Sequence, residues 1–133
     1  MPITLEIVSP TKLVLSRSVD MVVMPGYEGD LAAMEKHAPA IVLLRGGAVS
    51  LFQGGTVTDS FYVGGGFAEI TTDRCTILAD DATPIEELTA ATAQSLLSQA
   101  ELGWAEVDKL DIDARDTALD KLQAAQAAVR LAS

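Results

Sequence analysis

The sequence predicts a mainly β fold with an α-helical addition: an N-terminal antiparallel β-sandwich over residues 1–84, then a C-terminal antiparallel two-helix hairpin over residues 85–133. Three observations predict it. Short runs of alternating polarity, punctuated by glycine, fill the first part with no helical stretch between them. Thr83-Pro84 ends that pattern. Beyond it glycine nearly vanishes, and alanine recurs at spacings of three and four, the period of one helix face.

In chain order, "ITLEIV" sets Ile3, Leu5 and Ile7 against Thr4 and Glu6, a half-buried strand. "SVDMVVM" reads as a strand with Val19, Met21 and Val23 on one face. The stretch "VMPGYEGDLAAMEKHAPAI", Val23 to Ile41, interrupts the strand pattern with two glycines around a glutamate, small residues, and the only histidine, His37. "AVSLFQ", Gly54-Gly55 and "TVTDSFYV" read as a hairpin, because Gly-Gly suits the positive φ angles of tight turns. Gly64 to Gly66 lies between two strand patterns and reads as a bend or bulge; a phosphate cradle needs a helix N-terminus after it. "FAEIT", Thr72-Asp73 and "RCTILA" form a second hairpin pattern. Pro84 to Glu87 reads as a connector, with Thr89 as the N-cap of the first helix. Ala93, Leu97, Ala100, Trp104 and Val107 share one face of that helix. "DKLDIDARD" reads as the turn and the start of the second helix, whose stripe is Ala114, Ala118, Leu122, Ala125 and Val129. A short link implies an antiparallel pair. A fully buried Leu or Val contributes roughly 1.5–3 kcal/mol and an alanine much less. The alanine seam therefore predicts a helical pair only weakly attached to the sandwich.

Composition narrows the functions. Nearly half of the 133 residues are hydrophobic, so the chain buries a core and is not disordered. The net charge of −10 is shared by both parts: residues 1–84 hold ten acids and five bases, residues 85–133 nine and four. Such a chain is repelled by nucleic-acid phosphates and by anionic lipid. No apolar run approaches the roughly 18 residues of a membrane span, and "MPITLEIVSP" enters a strand pattern directly, with no secretory signal. Association with a membrane is expected only through another protein, with no direct lipid anchor. The single cysteine, Cys75, excludes an internal disulfide; it reads as a buried thiol in a reducing compartment.

The chemistry-bearing residues are sparse. Asp30 and Glu35 could complete a mixed carboxylate site with His37, but such spacings are common in loops, and no metal site is expected. There is no Gly-x-Ser-x-Gly elbow and no cysteine near the histidine. Asp80-Asp81 and Glu86-Glu87 fall at the junction and read as a solvated connector rather than a general acid/base pair. The expectation is a protein that is not an enzyme.

Four motifs in order, "EIVSP", "VVMPGYEGDLAAMEKHAP", "YVGGGFAEI" and "CTILADDA", resemble the epsilon subunit of bacterial F-type ATP synthases, over the whole chain including the helical hairpin. Pro25, Gly26, Gly29, Asp30, His37, Ala38 and Pro39 match that family's pattern; Glu35-Lys36 stand where Pro-Gly is usual, and Ala32-Ala33 are smaller than typical. The resemblance implies a non-catalytic rotor subunit of the central stalk, at the cytoplasmic face of the bacterial inner membrane. Its β domain would grip the gamma subunit and rest on the c-ring loops through Glu28, Gly29, Asp30 and His37. His37 is read as a structural or an interface residue. The hairpin would offer a route to the catalytic alpha and beta subunits.

In some relatives the first helix opens with Ile/Leu-Asp-x-x-Arg-Ala and helps to bind ATP. Here the stretch is Leu88, Thr89, Ala90, Ala91, Thr92, Ala93, so threonines replace both charged residues and no cofactor is expected. Residues 108–133 carry five acids and four bases, which predicts weak or no inhibition of hydrolysis. The alternative reading is a free-standing β-sandwich binding module with a helical cap.

Overall fold

The computed structural model describes residues 2–132. Ten strands form one continuous sheet that folds over on itself: β1 (Ile3–Val8), β2 (Leu13–Val19), β3 (Met21–Gly26), β4 (Gly29–Met34), β5 (Ala40–Leu44), β6 (Gly47–Gln53), β7 (Thr56–Val63), β8 (Gly66–Ile70), β9 (Arg74–Ala79) and β10 (Ala82–Pro84). Their order is β10-β7-β6-β3-β5-β8-β9-β1-β2, with β4 paired to β3 off that path. Every pairing is antiparallel except β1 with β9, which is parallel. The inward residues, among them Leu5, Ile7, Val22, Met24, Leu51, Ile70 and Ile77, form one apolar core between the folded layers. Cys75 is buried in it, and burial pushes its thiol up to about 12.

The alternation of Ile3, Leu5 and Ile7 is seen directly: all three are buried, with half-buried Thr4 and Glu6 between them. The expected face of Val19, Met21 and Val23 is not the one observed. Val22 and Met24 are buried, while Met21 and Val23 are half-buried. The cause is a break at Asp20, whose N–H donates to the Phe52 carbonyl at 3.0 Å and whose carboxylate accepts from the Gly54 N–H at 2.8 Å. The chain leaves its pairing with β1 there and joins β4 and β6, so the alternation restarts one residue out of phase.

The interrupting stretch is a hairpin of β3 and β4 that turns at Tyr27-Glu28. It is followed by a tighter turn in which Lys36 takes a left-handed φ of 66° and donates its N–H to the Thr72 carbonyl at 2.8 Å. A lysine there bears about 1–2 kcal/mol of steric cost that glycine avoids, less about 0.5–1 kcal/mol for glycine's freer unfolded chain. Lys36→Gly is therefore expected to stabilise by about 0.5–1 kcal/mol, raising Tm by a few degrees. A lower Tm on calorimetry would mean that the lysine side chain stabilises the turn more than its backbone strains it.

After β10, whose Pro84 lies in an edge strand that loses nothing from a missing N–H, a short 3-10 turn (Ile85–Glu87) leads to α1 (Ala90–Glu106) and α2 (Ile112–Ala132). Thr89 caps α1 as expected, its hydroxyl accepting from the Thr92 N–H at 3.1 Å. Asp111 accepts the Ala114 N–H at 3.1 Å at the start of α2. Both predicted stripes are buried or half-buried. The helices pack chiefly on one another, and α2 carries most of the packing against β6 and β7.

Candidate functional site

The candidate residues Glu28, Gly29 and Asp30 sit together, exposed, at the β3–β4 turn. His37 does not join them. It lies beyond the far end of β4, so the four are strung along one exposed edge strand rather than gathered in a patch. His37 is half-buried as a residue; its ring Nδ1 is 2.6 Å from the Ala38 carbonyl, and its backbone N–H donates to the Met34 carbonyl at 3.1 Å. These local bonds hold the loop and support the structural reading of His37. Among the described residues no three histidine, cysteine, aspartate or glutamate side chains converge on one point; Asp30 and His37 stand at opposite ends of a strand.

The turn is tied to the helical pair. Tyr27 donates its phenol proton to Asp120 at 2.6 Å. That bond, and the charge of the same carboxylate, hold the Tyr27 pKa above its ordinary value. Further along α2, Gln123 clamps Gly46: its Oε1 accepts the Gly46 N–H at 2.9 Å and its Nε2 donates to the Gly46 carbonyl at 2.7 Å. Tyr62 donates to the Ala124 carbonyl at 2.9 Å; its burial, and then the Asp81 charge, push its pKa up to about 12. Alanines 124, 125, 127 and 128 are all buried. The helical pair is thus held more firmly than its alanine content alone implies. The small side chains let the α2 backbone come close enough for polar groups to bond across the seam.

Between the helices and the sheet opens a cleft of about 730 Å³, lined by Tyr62, Asp80, Asp81, Gln99, Asp113 and Lys121 among others. Three carboxylates face one ammonium group there. Leu88 and Ala93 are buried against Tyr62 and α2, and Thr89 and Thr92 are spent on the helix cap. No guanidinium points into this cleft from the positions where the resemblance places a nucleotide motif.

Sequence reasoning missed a second feature, on the outer face of the sheet. Register aligns Leu43 with Phe67, Phe67 with Leu78, Leu78 with Val8 and Val8 with Leu13. The row crosses five adjacent strands. Leu43 is 58% exposed, Phe67 45%, Leu78 37% and Leu13 56%. Ile41, two residues along β5 on the same face, is 76% exposed. Ile41 heads the neighbouring row, which turns polar beyond it with Glu69, Thr76 and Glu6; Glu6 forms an ion pair with Arg74. A contiguous exposed apolar strip rimmed by charge is a candidate interaction surface. The available signal was "AIVLL": a strand apolar on both faces is one that is covered on both faces.

The family model for the ATP synthase delta/epsilon chain β-sandwich domain matches residues 2–85. The chain is 57% identical over 129 residues to the ATP synthase epsilon chain of Granulibacter bethesdensis, covering 97% of this chain and 96% of that one. It is 49% identical to the epsilon chain of Gluconacetobacter diazotrophicus, covering 99% and 94%. The fold is similar to a chain of the mitochondrial ATP synthase (OSCP/F1/c-ring) of Euglena gracilis, with TM-score 0.73, 21% identity, and 95% and 78% of the two chains covered.

Proposed function

The chain belongs to the ATP synthase delta/epsilon family, and we propose that it works as a non-catalytic rotor subunit that grips a gamma subunit through the apolar strip of its sheet. Members of this family serve the complex as structural or regulatory parts, and no reaction is assigned to this chain. The strip Leu43-Phe67-Leu78-Val8-Leu13 is the observation that carries the reading. It is broad, apolar, held rigidly by five hydrogen-bonded strands, and rimmed by charge, as the central part of a stable protein interface is. The exposed Glu28-Gly29-Asp30 turn is assigned to basic groups on the loops of the c-ring, to which carboxylates offer charge-assisted hydrogen bonds. His37 holds the loop at the far end of β4. The unit formed by residues 1–84 makes both contacts, and the hairpin of residues 85–133 lies beside it. No helix among the described residues is long and apolar enough to cross a membrane. Membrane association is peripheral, and we place the subunit at the cytoplasmic face through its partners. The carboxylates of the interhelical cleft disfavour a polyphosphate, and α2 has no basic face for acidic segments of the alpha and beta subunits. We therefore assign the hairpin a weak inhibitory role at most.

The test is Phe67→Glu. It places a charge within the strip, between Leu43 and Leu78, while the exposed position leaves the core untouched. Its dissociation constant for gamma is expected to rise at least about 100-fold, the scale of a central interface residue. Val57→Glu, equally exposed but at the end of β7 beyond the strip, should leave binding within about threefold. Folding of both is checked by circular dichroism. Unchanged gamma binding by a folded Phe67→Glu chain would remove the strip from the interface.

A further inference from the structure

We propose that the β3–β4 turn and the middle of α2 are one coupled unit, so that docking of the helix and engagement of the turn change each other's free energy. The coupling is read from a closed circuit of bonds. Asp120 and Gln123, three residues apart, lie on one face of α2. Asp120 holds Tyr27 at 2.6 Å, and Gln123 holds both backbone groups of Gly46 at 2.9 and 2.7 Å. The two loops so gripped are themselves bonded together: the Tyr27 N–H donates to the Leu43 carbonyl at 2.8 Å, and the Arg45 N–H donates to the Pro25 carbonyl at 2.9 Å. The turn therefore cannot tilt without stretching the Asp120 bond or carrying the Gly46 connection and α2 along. Linkage makes this reciprocal: the factor by which helix docking changes a ligand's affinity for the turn is the factor by which that ligand changes docking.

The identity of the turn's partner rests on the c-ring assignment made above; the coupling does not. It ties the turn at which the rotor ring is proposed to meet this chain to the element that seats the helical pair. Contact at Glu28 to Asp30 is thereby reported to α2, more than 80 positions away in sequence.

Amide hydrogen exchange on the free, full-length chain tests it. Gln123→Ala removes the Gly46 clamp at a site that does not touch Tyr27. It is expected to speed exchange of the Tyr27 amide about tenfold, the scale of losing one or two net hydrogen bonds. Tyr27→Phe, which removes only a hydroxyl, is expected to speed exchange of the Ala124, Ala125 and Ala127 amides about threefold. Measured at any one of these amides, the double variant should speed exchange by less than the product of the two single-variant factors at that same amide, the sign of a shared interaction. If Gln123→Ala frees the Gly46 amide and leaves Tyr27 unchanged, the clamp is local and the coupling is overturned. Failure of Asp30→Cys to crosslink to a cysteine placed on a ring loop would overturn the ring assignment instead, and the exchange result would stand.

Discussion

Gly66→Ala is expected to cost about 4 kcal/mol or more, at the diagnostic end of single-residue effects, and to prevent folding at moderate temperature if the parent lies at the lower end of the usual 5–15 kcal/mol. The three consecutive glycines at the entry to β8 are not equivalent. Gly66 has φ 133°, and a Cβ added there would stand 2.0 Å from the Leu78 carbonyl oxygen and 2.9 Å from the Ala79 Cα. Both obstacles are backbone of the neighbouring strand β9, which pairs Gly66 with Ala79 while β5 pairs it with Leu44 from the other side. Neither can give way without opening a ladder. Gly65 has φ 116° but meets nothing nearer than 3.8 Å, so alanine there bears only the conformational cost, about 1–2 kcal/mol. At Gly64 the nearest atoms are side-chain atoms 3.5 Å and more away, and alanine should fall within about 1 kcal/mol of the parent. The three alanine variants, melted side by side, should rank Gly64, Gly65, Gly66 in rising cost. Equal Tm values for the first and third would show that β9 yields where the register says it cannot.

That glycine run shows how far the sequence could be read. A bend was legible at Gly64 to Gly66 because three glycines between two strand patterns have little other use. Which glycine is indispensable was not, because the obstacle is a carbonyl of Leu78, on the following strand. The same division holds elsewhere. The alternation of β1, the Gly54-Gly55 turn, the Thr89 cap and both helix stripes depend on neighbours within a turn or a pleat, and all were visible. The inward face of β3 was misread because a single carboxylate, Asp20, bonds across to Gly54 and resets the phase. The outer apolar strip was hidden because its members are one residue per strand. Only the register brings Leu43, Phe67, Leu78, Val8 and Leu13 into a row. The edge-strand residues Glu28, Gly29, Asp30 and His37 came from a family pattern, in which closeness along the chain resembles closeness in space; β4 separates them.

The seating of α2 was the least legible feature, and it makes the sharpest prediction of conformational change. Gly46→Ala is expected to lift the helical pair from the sheet while the sheet itself stays folded. A Cβ at Gly46 would lie 2.4 Å from the Ala124 Cα and 2.6 Å from its Cβ. The obstruction is the backbone of α2, so only displacement of the helix relieves it. Nothing in the sheet is within 4 Å of that added atom among its three nearest neighbours, and Gly46 does not adopt a left-handed φ. Displacement breaks the two Gln123 bonds to Gly46 and the bond from Tyr62 to the Ala124 carbonyl. The docked helix is held by those three bonds, about 1 kcal/mol each, and by four buried alanines, each burying little more than a methyl group worth about 0.8 kcal/mol. Ordinary overpacking costs about 1–3 kcal/mol, but a Cβ 2.4 Å from a backbone Cα has no room in place, so the clash overrides that hold. Tyr62 reports the outcome. Its folded pKa of about 12 lies above the usual 10 because the phenol is buried. Its contribution to docking is therefore complete below pH 10 and is lost as pH rises through about 12. In the parent, ultraviolet titration should show Tyr62 ionising late and the helices loosening as it does. In Gly46→Ala the same phenol should titrate near its ordinary value, with the sheet's circular dichroism unchanged. Gly103→Ala is the matched control, because its added atom meets nothing within 4 Å on α1. A Gly46→Ala chain whose Tyr62 still titrates near 12 would show that α2 slides along the sheet to make room, and that its hold lies in the alanine seam rather than in the bonds to Gly46.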